Sequence, residues 1–218
     1  FGEDGLGEST VPPGLAGVVA ISAGGNHTLA LKSDGAVAAF GANTDGQLNI
    51  PMGLVGVTAV AGGGGQSYAL KADGTVQEWG GGVAPPMGLT DVASITAGQD
   101  HALALKTDGT VVAWGGNADG QATPPMGLVN VRAVAAGTSF SLALKDDGTI
   151  VGWGRNNQNQ IDIPAGLNDA VAISAGQFHA LALKADGTVV GWGTDPSNPA
   201  TPPAGLSNLA WLGWRALS

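Results

Sequence analysis

Three histidines are the first residues to test for chemistry. His27, His101 and His179 all stand in the same local sequence, x-His-x-Leu-Ala-Leu-Lys. Imidazoles at equivalent positions around a closed ring would converge, and converging imidazoles can ligate a metal. The same slot holds Gln66 and Phe140 in two further copies, and a phenyl ring ligates nothing. The slot therefore reads as a packing position at the start of a strand. Five Asp-Gly pairs, at Asp34, Asp73, Asp108, Asp147 and Asp186, supply carboxylates, but without the clustered Asp-x-Asp-x-Asp ligands of a calcium loop. Turn chemistry accounts for them. Glu3, Asp4, Asp45 and Asp119 read as solvated loop carboxylates. Trp79, Trp114, Trp153 and Trp192, with Phe40 in the same slot, could stack on sugars. An aromatic recurring once per unit is better explained as a wedge buried between sheets. Ser139 and Ser141 have no histidine and acid tied to them by a motif, and no glycine loop carries a phosphate-cradling lysine. The expectation is a protein with no catalytic set, no metal and no cofactor.

These residues are positioned by a repeat. The segment Ala175–Gly193 (AGQFHALALKADGTVVGWG) has earlier copies beginning at Ala23, Gly62, Ala97 and Ala136. The Asp-Gly pairs are spaced 39, 35, 39 and 39 residues apart, a period that belongs to a repeat architecture. Each copy predicts a β-hairpin, with two strand-length runs joined by Asp-Gly, whose turn needs the positive φ these residues tolerate. Leu181 and Leu183 fall on one face of the strand, Ala180 and Ala182 on the other. Apolar residues on both faces predict a sheet packed between two other sheets. A strand of the type Val-x-Ala-Ile-Ser precedes each hairpin. An Asn-x-x-Gly-Gln loop and a Pro-Gly-Leu segment follow it. The second repeat is four residues shorter in that loop.

The chain of 218 residues suits one domain. Its 38 glycines sit at fixed repeat positions, as turn residues do. Charged residues make up 11%, and the net charge is −9. Five of the eight basic residues, Lys32, Lys71, Lys106, Lys145 and Lys184, precede the Asp-Gly turns. An acidic domain with lysines so dispersed argues against nucleic acid and anionic membranes. The absence of cysteine excludes disulfides and thiolate chemistry. No apolar run reaches the length of a membrane span. The sequence starts inside a repeat, without an initiator Met, and reads as a processed product or an excised piece.

Residues 1–15 align with the second half of a repeat, and residues 207–218 follow a last exit segment without a further hairpin. The expected organisation is a single β-propeller over residues 1–218. A partial unit spans 1–16, five full repeats about 17–206, and a tail 207–218 closes the ring or docks elsewhere. Four short strands in about 39 residues suit a propeller blade. Six blades are expected, the sixth assembled from both ends; five or seven are the alternatives. Trp211 and Trp214 stand outside the repeat and are candidates for closure or self-association.

The pattern AGxxHxLALKxDGTVxxWGxNxxGQ resembles the repeats of the regulator of chromosome condensation family, in a short bacterial form, over nearly the whole chain. The resemblance implies a propeller that binds proteins through loops on one face. A secreted bacterial inhibitor with similar short repeats works in that way, although its inhibitory loops have no matching motif here. The resemblance also suggests an extracellular or periplasmic bacterial setting. Where the copies disagree, recognition is expected. The positions before the histidine slot carry Asn26, Gly65, Asp100, Ser139 and Phe178, and the exit loops carry Thr44, Ala118, Arg155 and Asp195. Asn26, Thr44, Asp100, Ser139, Arg155 and Phe178 are the candidate binding residues, with Phe178 and Arg155 of the types most often found at hot spots. A protein partner is expected. The alternatives are a carbohydrate, or a structural subunit that assembles through its split terminal blade.

Overall fold

A computed structural model describes residues 4–195 and 198–199. Among them there is no helix, and five repeats form five antiparallel sheets in chain order. The first sheet is β1 (Val18–Ala23), β2 (His27–Lys32) and β3 (Val37–Gly41). The second is β4 (Val57–Gly62), β5 (Gln66–Lys71) and β6 (Val76–Gly80). The third is β7 (Val92–Ala97), β8 (His101–Lys106) and β9 (Val111–Gly115). The fourth is β10 (Val131–Ala136), β11 (Phe140–Lys145) and β12 (Ile150–Gly154). The fifth is β13 (Ala170–Ala175), β14 (His179–Lys184) and β15 (Val189–Asp195), with a two-residue β16 (Asn198–Pro199) on its edge.

The hairpins form as their turn residues dictate. In the fourth repeat Lys145 O accepts from Gly148 N at 3.0 Å, and Gly148 takes a φ of 80°. Asp147 Oδ1 accepts from Thr149 N at 3.0 Å and from the Thr149 hydroxyl at 2.5 Å. Lys145 Nζ reaches Asp147 Oδ2 at 3.1 Å. Those hydrogen bonds, the two from Thr149 first, hold the Asp147 carboxyl down to about 2. The strand leading into each hairpin shifts register at its second residue, between Val131 and Ala133 in this repeat. Such a bulge bends the strand and increases its twist.

The sheets stack face to face, and each interface joins a leucine face to an alanine and tryptophan face. Leu29, Leu31, Val37 and Ala39 of the first sheet pack against Val57, Val60, Ala69 and Trp79 of the second. Leu103 and Leu105 meet Ala143 and Trp153 in the same way. Leu142 and Leu144 meet Ala180, Ala182 and Trp192. The small alanines let neighbouring sheets approach, while each tryptophan fills the space beside them in the same interface. Two-sided burial, expected from the apolar alternation, is therefore what the inner sheets adopt.

Among the described residues the first four sheets have three strands rather than the four expected per blade, and the last gains a short fourth. Residues 42–56, which follow the first sheet, run through turns. Pro51 has no N–H for a ladder, and its carbonyl closes a turn onto Leu54 N at 3.2 Å. Residues 4–15 likewise form turns, lying beside the first sheet. The tail with Trp211 and Trp214, and with it the expected closure of a sixth blade, lies outside the described residues.

Candidate functional site

The loops that join the first two strands of each sheet gather at one end of the stack. Segments 23–25, 62–64, 97–99 and 136–138 surround a shallow depression of about 130 Å³, walled largely by main chain. Neighbouring loops are tied directly to one another. Gly25 N donates to Gly63 O and Gly64 N to Gln99 O, both at 2.8 Å. The packing is tight enough that a Cβ on Gly98 would lie 2.2 Å from Gly137 O. Glycine recurs here because the backbones of successive loops pass over one another.

Outside this ring stand the residues that vary between copies. Asn26, Asp100 and Ser139 end their loops, and their carbonyls accept from Ala42 N, Gly116 N and Arg155 N, the first residues after the third strands. One backbone link thus brings the loop positions and the exit-loop positions to the same end. Asn26, Thr44, Asp100 and Arg155 are exposed, and Ser139 and Phe178 are half-buried. Ser139 and Arg155 are brought side by side, with 2.9 Å between Ser139 O and Arg155 N. Asn26, Thr44, Asp100 and Phe178 belong to other repeats, so the six form a dispersed rim rather than one cluster.

Charge is divided between the two ends of the stack. The five repeat lysines lie at the opposite end, beside the hairpin turns. Four of them pair with turn aspartates at 3.0 to 3.3 Å. Lys184 also reaches Asp169, at 3.2 Å. Arg132, at the same end, donates to Ala170 O at 2.6 Å. The loop end carries exposed Asp45, Asp100 and Asp119, with Arg155 its basic side chain among the described residues. The result is a weakly acidic rim around a polar depression.

The histidines do not converge. His27 and His101 are buried, and each joins its sheet to the next. His27 Nε2 lies 2.9 Å from Ser67 Oγ, and His101 Nε2 lies 3.0 Å from Ser141 Oγ. Each serine hydroxyl donates in turn to a loop carbonyl, Gln47 O or Gln121 O, at 2.9 Å. That bond takes the hydroxyl's one hydrogen, so each histidine must be the donor through Nε2–H. Where the slot holds Gln66 or Phe140, the serine position of the next sheet is Ala102 or Ala180. Among the described residues, no group of three or more His, Asp or Glu is placed to hold a metal ion.

One irregular place belongs to no motif. Tyr68 stands where other copies have leucine, and it pairs across β5 and β6 with Glu78, where the others have Ala or Gly. The Tyr68 ring meets Trp114 edge to face, with centroids 5.7 Å apart and planes at 80°. Burial pushes the Glu78 carboxyl above its ordinary range. Trp114 Nε1 is buried without a hydrogen-bond partner. Its counterparts Trp79, Trp153 and Trp192 donate to Gln47 O, Gln121 O and Gln160 O at 2.8 to 3.0 Å. The short second repeat has no such glutamine before Trp114. The shortened loop and the single tyrosine of the chain are the sequence signals for this place.

The family model described as the regulator of chromosome condensation (RCC1) repeat matches residues 18–47, 92–121, 131–160 and 170–198, more than half of the chain. Among solved structures the chain is similar to Prp20p from Saccharomyces cerevisiae, with 24% identity and a TM-score of 0.68, over 81% of this chain and 57% of that one. It is similar to the ectodomain of the receptor kinase CR4 from Physcomitrella patens, with 26% identity and a TM-score of 0.66, over 89% of this chain and 55% of that one. Human WBSCR16 is similar at 20% identity with a TM-score of 0.67, over 84% of this chain and 65% of that one. The chain thus spans little more than half the length of the first two. No curated protein matches it.

Proposed function

The chain belongs to the regulator of chromosome condensation (RCC1) repeat family, and from that membership we propose that it is a non-catalytic module that binds a protein partner at the loop end of its sheets. The observation that carries this reading is the contrast at that end. The glycine scaffold is held loop to loop by main-chain hydrogen bonds, while Asn26, Asp100, Ser139, Phe178, Thr44 and Arg155 differ from their counterparts and reach the surface. A rigid repeat that presents variable side chains is how repeat proteins build recognition surfaces. Prp20p, a structural neighbour, has binding properties toward Gsp1p and histones, which supports a protein as the class of ligand. The aspartates of the rim favour a partner surface that carries lysine or arginine. An extracellular or periplasmic setting is part of the same proposal.

The test is a comparison of two multiple variants in a capture assay on extracts of the source cells and their medium. Asn26→Ala/Asp100→Ala/Phe178→Ala alters the loop end. Met52→Ala/Met87→Ala/Met126→Ala alters fully exposed side chains in the Pro-Gly-Leu segments. Loss of the captured protein with the first variant and retention with the second is the expected result. Equal capture by both would overturn the reading. Glycan binding that disappears with Phe178→Ala would replace the protein by a carbohydrate.

A further inference from the structure

The five hairpin turns share the sequence Lys-x-Asp-Gly, but the first is held more loosely than the rest. In the other four, the residue after the glycine is threonine. Its hydroxyl donates to Asp73, Asp108, Asp147 or Asp186 at 2.5 to 2.6 Å. The first copy has Ala36 in that place. The Asp34 carboxylate keeps the bond from Ala36 N at 3.0 Å and the reach of Lys32 Nζ at 3.3 Å, and lacks the hydroxyl.

The first turn is also freer of the sheet that follows it. The carbonyls of Gly74, Gly109 and Gly148 accept from Val92 N, Val131 N and Ala170 N of the next sheet at 3.1 to 3.2 Å. Among the described residues, Val57 N makes no such bond to Gly35 O. The residue facing that turn is Gly56, where later copies have Asp91, Asn130 and Asp169. A Cβ on Gly35 would lie 3.7 Å from the nearest atom, against 3.0 Å on Gly74, 3.4 Å on Gly109 and 2.6 Å on Gly148.

An aspartate followed by glycine carries its own reaction. The glycine amide nitrogen can attack Cγ of the protonated carboxyl, since no side chain on the glycine obstructs the approach. An N–Cγ bond forms, the Cγ–OH bond breaks, and water leaves with the amide hydrogen, closing a succinimide ring. Water then opens the ring at Cγ, which restores aspartate, or at the main-chain carbonyl, which leaves a β-linked isoaspartate. No oxidant or co-reactant takes part. Before the ring closes, the carboxyl must leave its hydrogen bonds and swing toward the glycine nitrogen, so each bond that pins it opposes the reactive geometry. The bonds led by the threonine hydroxyl also keep Asp73, Asp147 and Asp186 ionised, with carboxyls held down to about 2. The glycine N–H is held alike in all five turns, by the lysine carbonyl at 2.9 to 3.0 Å. The carboxyl and the freedom of the turn therefore decide between the copies.

We infer that Asp34 is a modification site, the place where this chain forms isoaspartate, and that threonine protects the other four Asp-Gly pairs. The Asp34 side chain is 62% exposed, so water reaches the ring. The β-linkage adds a carbon to the main chain between β2 and β3 and withdraws the carboxylate from Ala36 N and Lys32. This turn lies at the end of the sheets away from the candidate rim, so the inference is independent of the proposed binding function.

The whole chain is incubated at neutral pH in heavy-oxygen water, since each passage through the ring installs one solvent oxygen. Trypsin cleavage in ordinary water, after the lysine that precedes each turn, places the five pairs on separate peptides for mass spectrometry. The Asp34 peptide should take up label about fivefold faster than the others, the factor that one net hydrogen bond supplies. Ala36→Thr should slow it, and Thr75→Ala should speed labelling of the Asp73 peptide, both variants being checked for native circular dichroism. An Asp34 peptide that labels no faster than the other four overturns the inference. So does a rate at Asp34 that Ala36→Thr leaves unchanged, or one at Asp73 that Thr75→Ala leaves unchanged.

Discussion

Acidification should destabilise this protein through His101 well before its turn aspartates, which their hydrogen bonds hold low, take up protons. The ring is fully buried, its Nε2–H is committed to Ser141 Oγ at 3.0 Å, and its Nδ1 has no partner. A proton added at Nδ1 would create a buried charge with nothing to accept the new hydrogen bond. Burial accordingly holds the pKa down to about 4 from the ordinary 6.5. The folded value lies below the unfolded one, so the unfolded chain takes up the proton first. The stability contribution is complete above about pH 6.5 and is lost as pH falls toward 4. With about 1.4 kcal/mol per pKa unit, the full loss is roughly 3 kcal/mol, and about 1.4 kcal/mol of it is gone by pH 5.5. His27, also lowered by burial, acts in the same direction. The assay is urea unfolding followed by circular dichroism near pH 7 and pH 5.5. The control is His101→Phe/Ser141→Ala, which copies the Phe140 and Ala180 combination the fold already uses. The double variant should lose about 1 kcal/mol less than the parent over that interval. Parallel losses in the two proteins would refute the assignment of the acid sensitivity to His101.

Two further predictions compare copies of the repeat with one another. Trp153→Phe removes a buried hydrogen bond to Gln121 O, while Trp114→Phe removes an indole N–H that has no partner. The first should cost about 1 kcal/mol more than the second in urea unfolding, and equal costs would contradict the difference between the two sites. Gly148 and Gly35 share a left-handed conformation, with φ of 80° and 79°. A Cβ on Gly148 would lie 2.6 Å from Asn168 O, whereas the nearest atom to one on Gly35 is 3.7 Å away. Alanine at Gly35 should then cost only the conformational strain of about 1 kcal/mol. Alanine at Gly148 should lower the thermal midpoint visibly further.

The repeat period, the hairpins with their Asp-Gly turns, and the division into leucine and alanine faces are all legible in the amino-acid sequence. Each depends on neighbours within about ten residues, where turn chemistry and alternation act directly. The tryptophan wedge is legible for the same reason, as a position repeated in a face already assigned. The fourth strand is not, because a Pro-Gly-Leu segment between repeats has the length of a strand, and only its proline and its turn hydrogen bond decide against one. The candidate rim is legible as a set of variable positions. Its concentration at one end, away from the lysines, follows only from the backbone bonds that join each loop to its exit. The least legible features cross from one copy to the next. His27 with Ser67, His101 with Ser141, and the unpaired Trp114 depend on which residue faces which across two sheets about 40 residues apart. A sequence period fixes that the copies are alike. The stacking decides which face of one copy meets which face of the next.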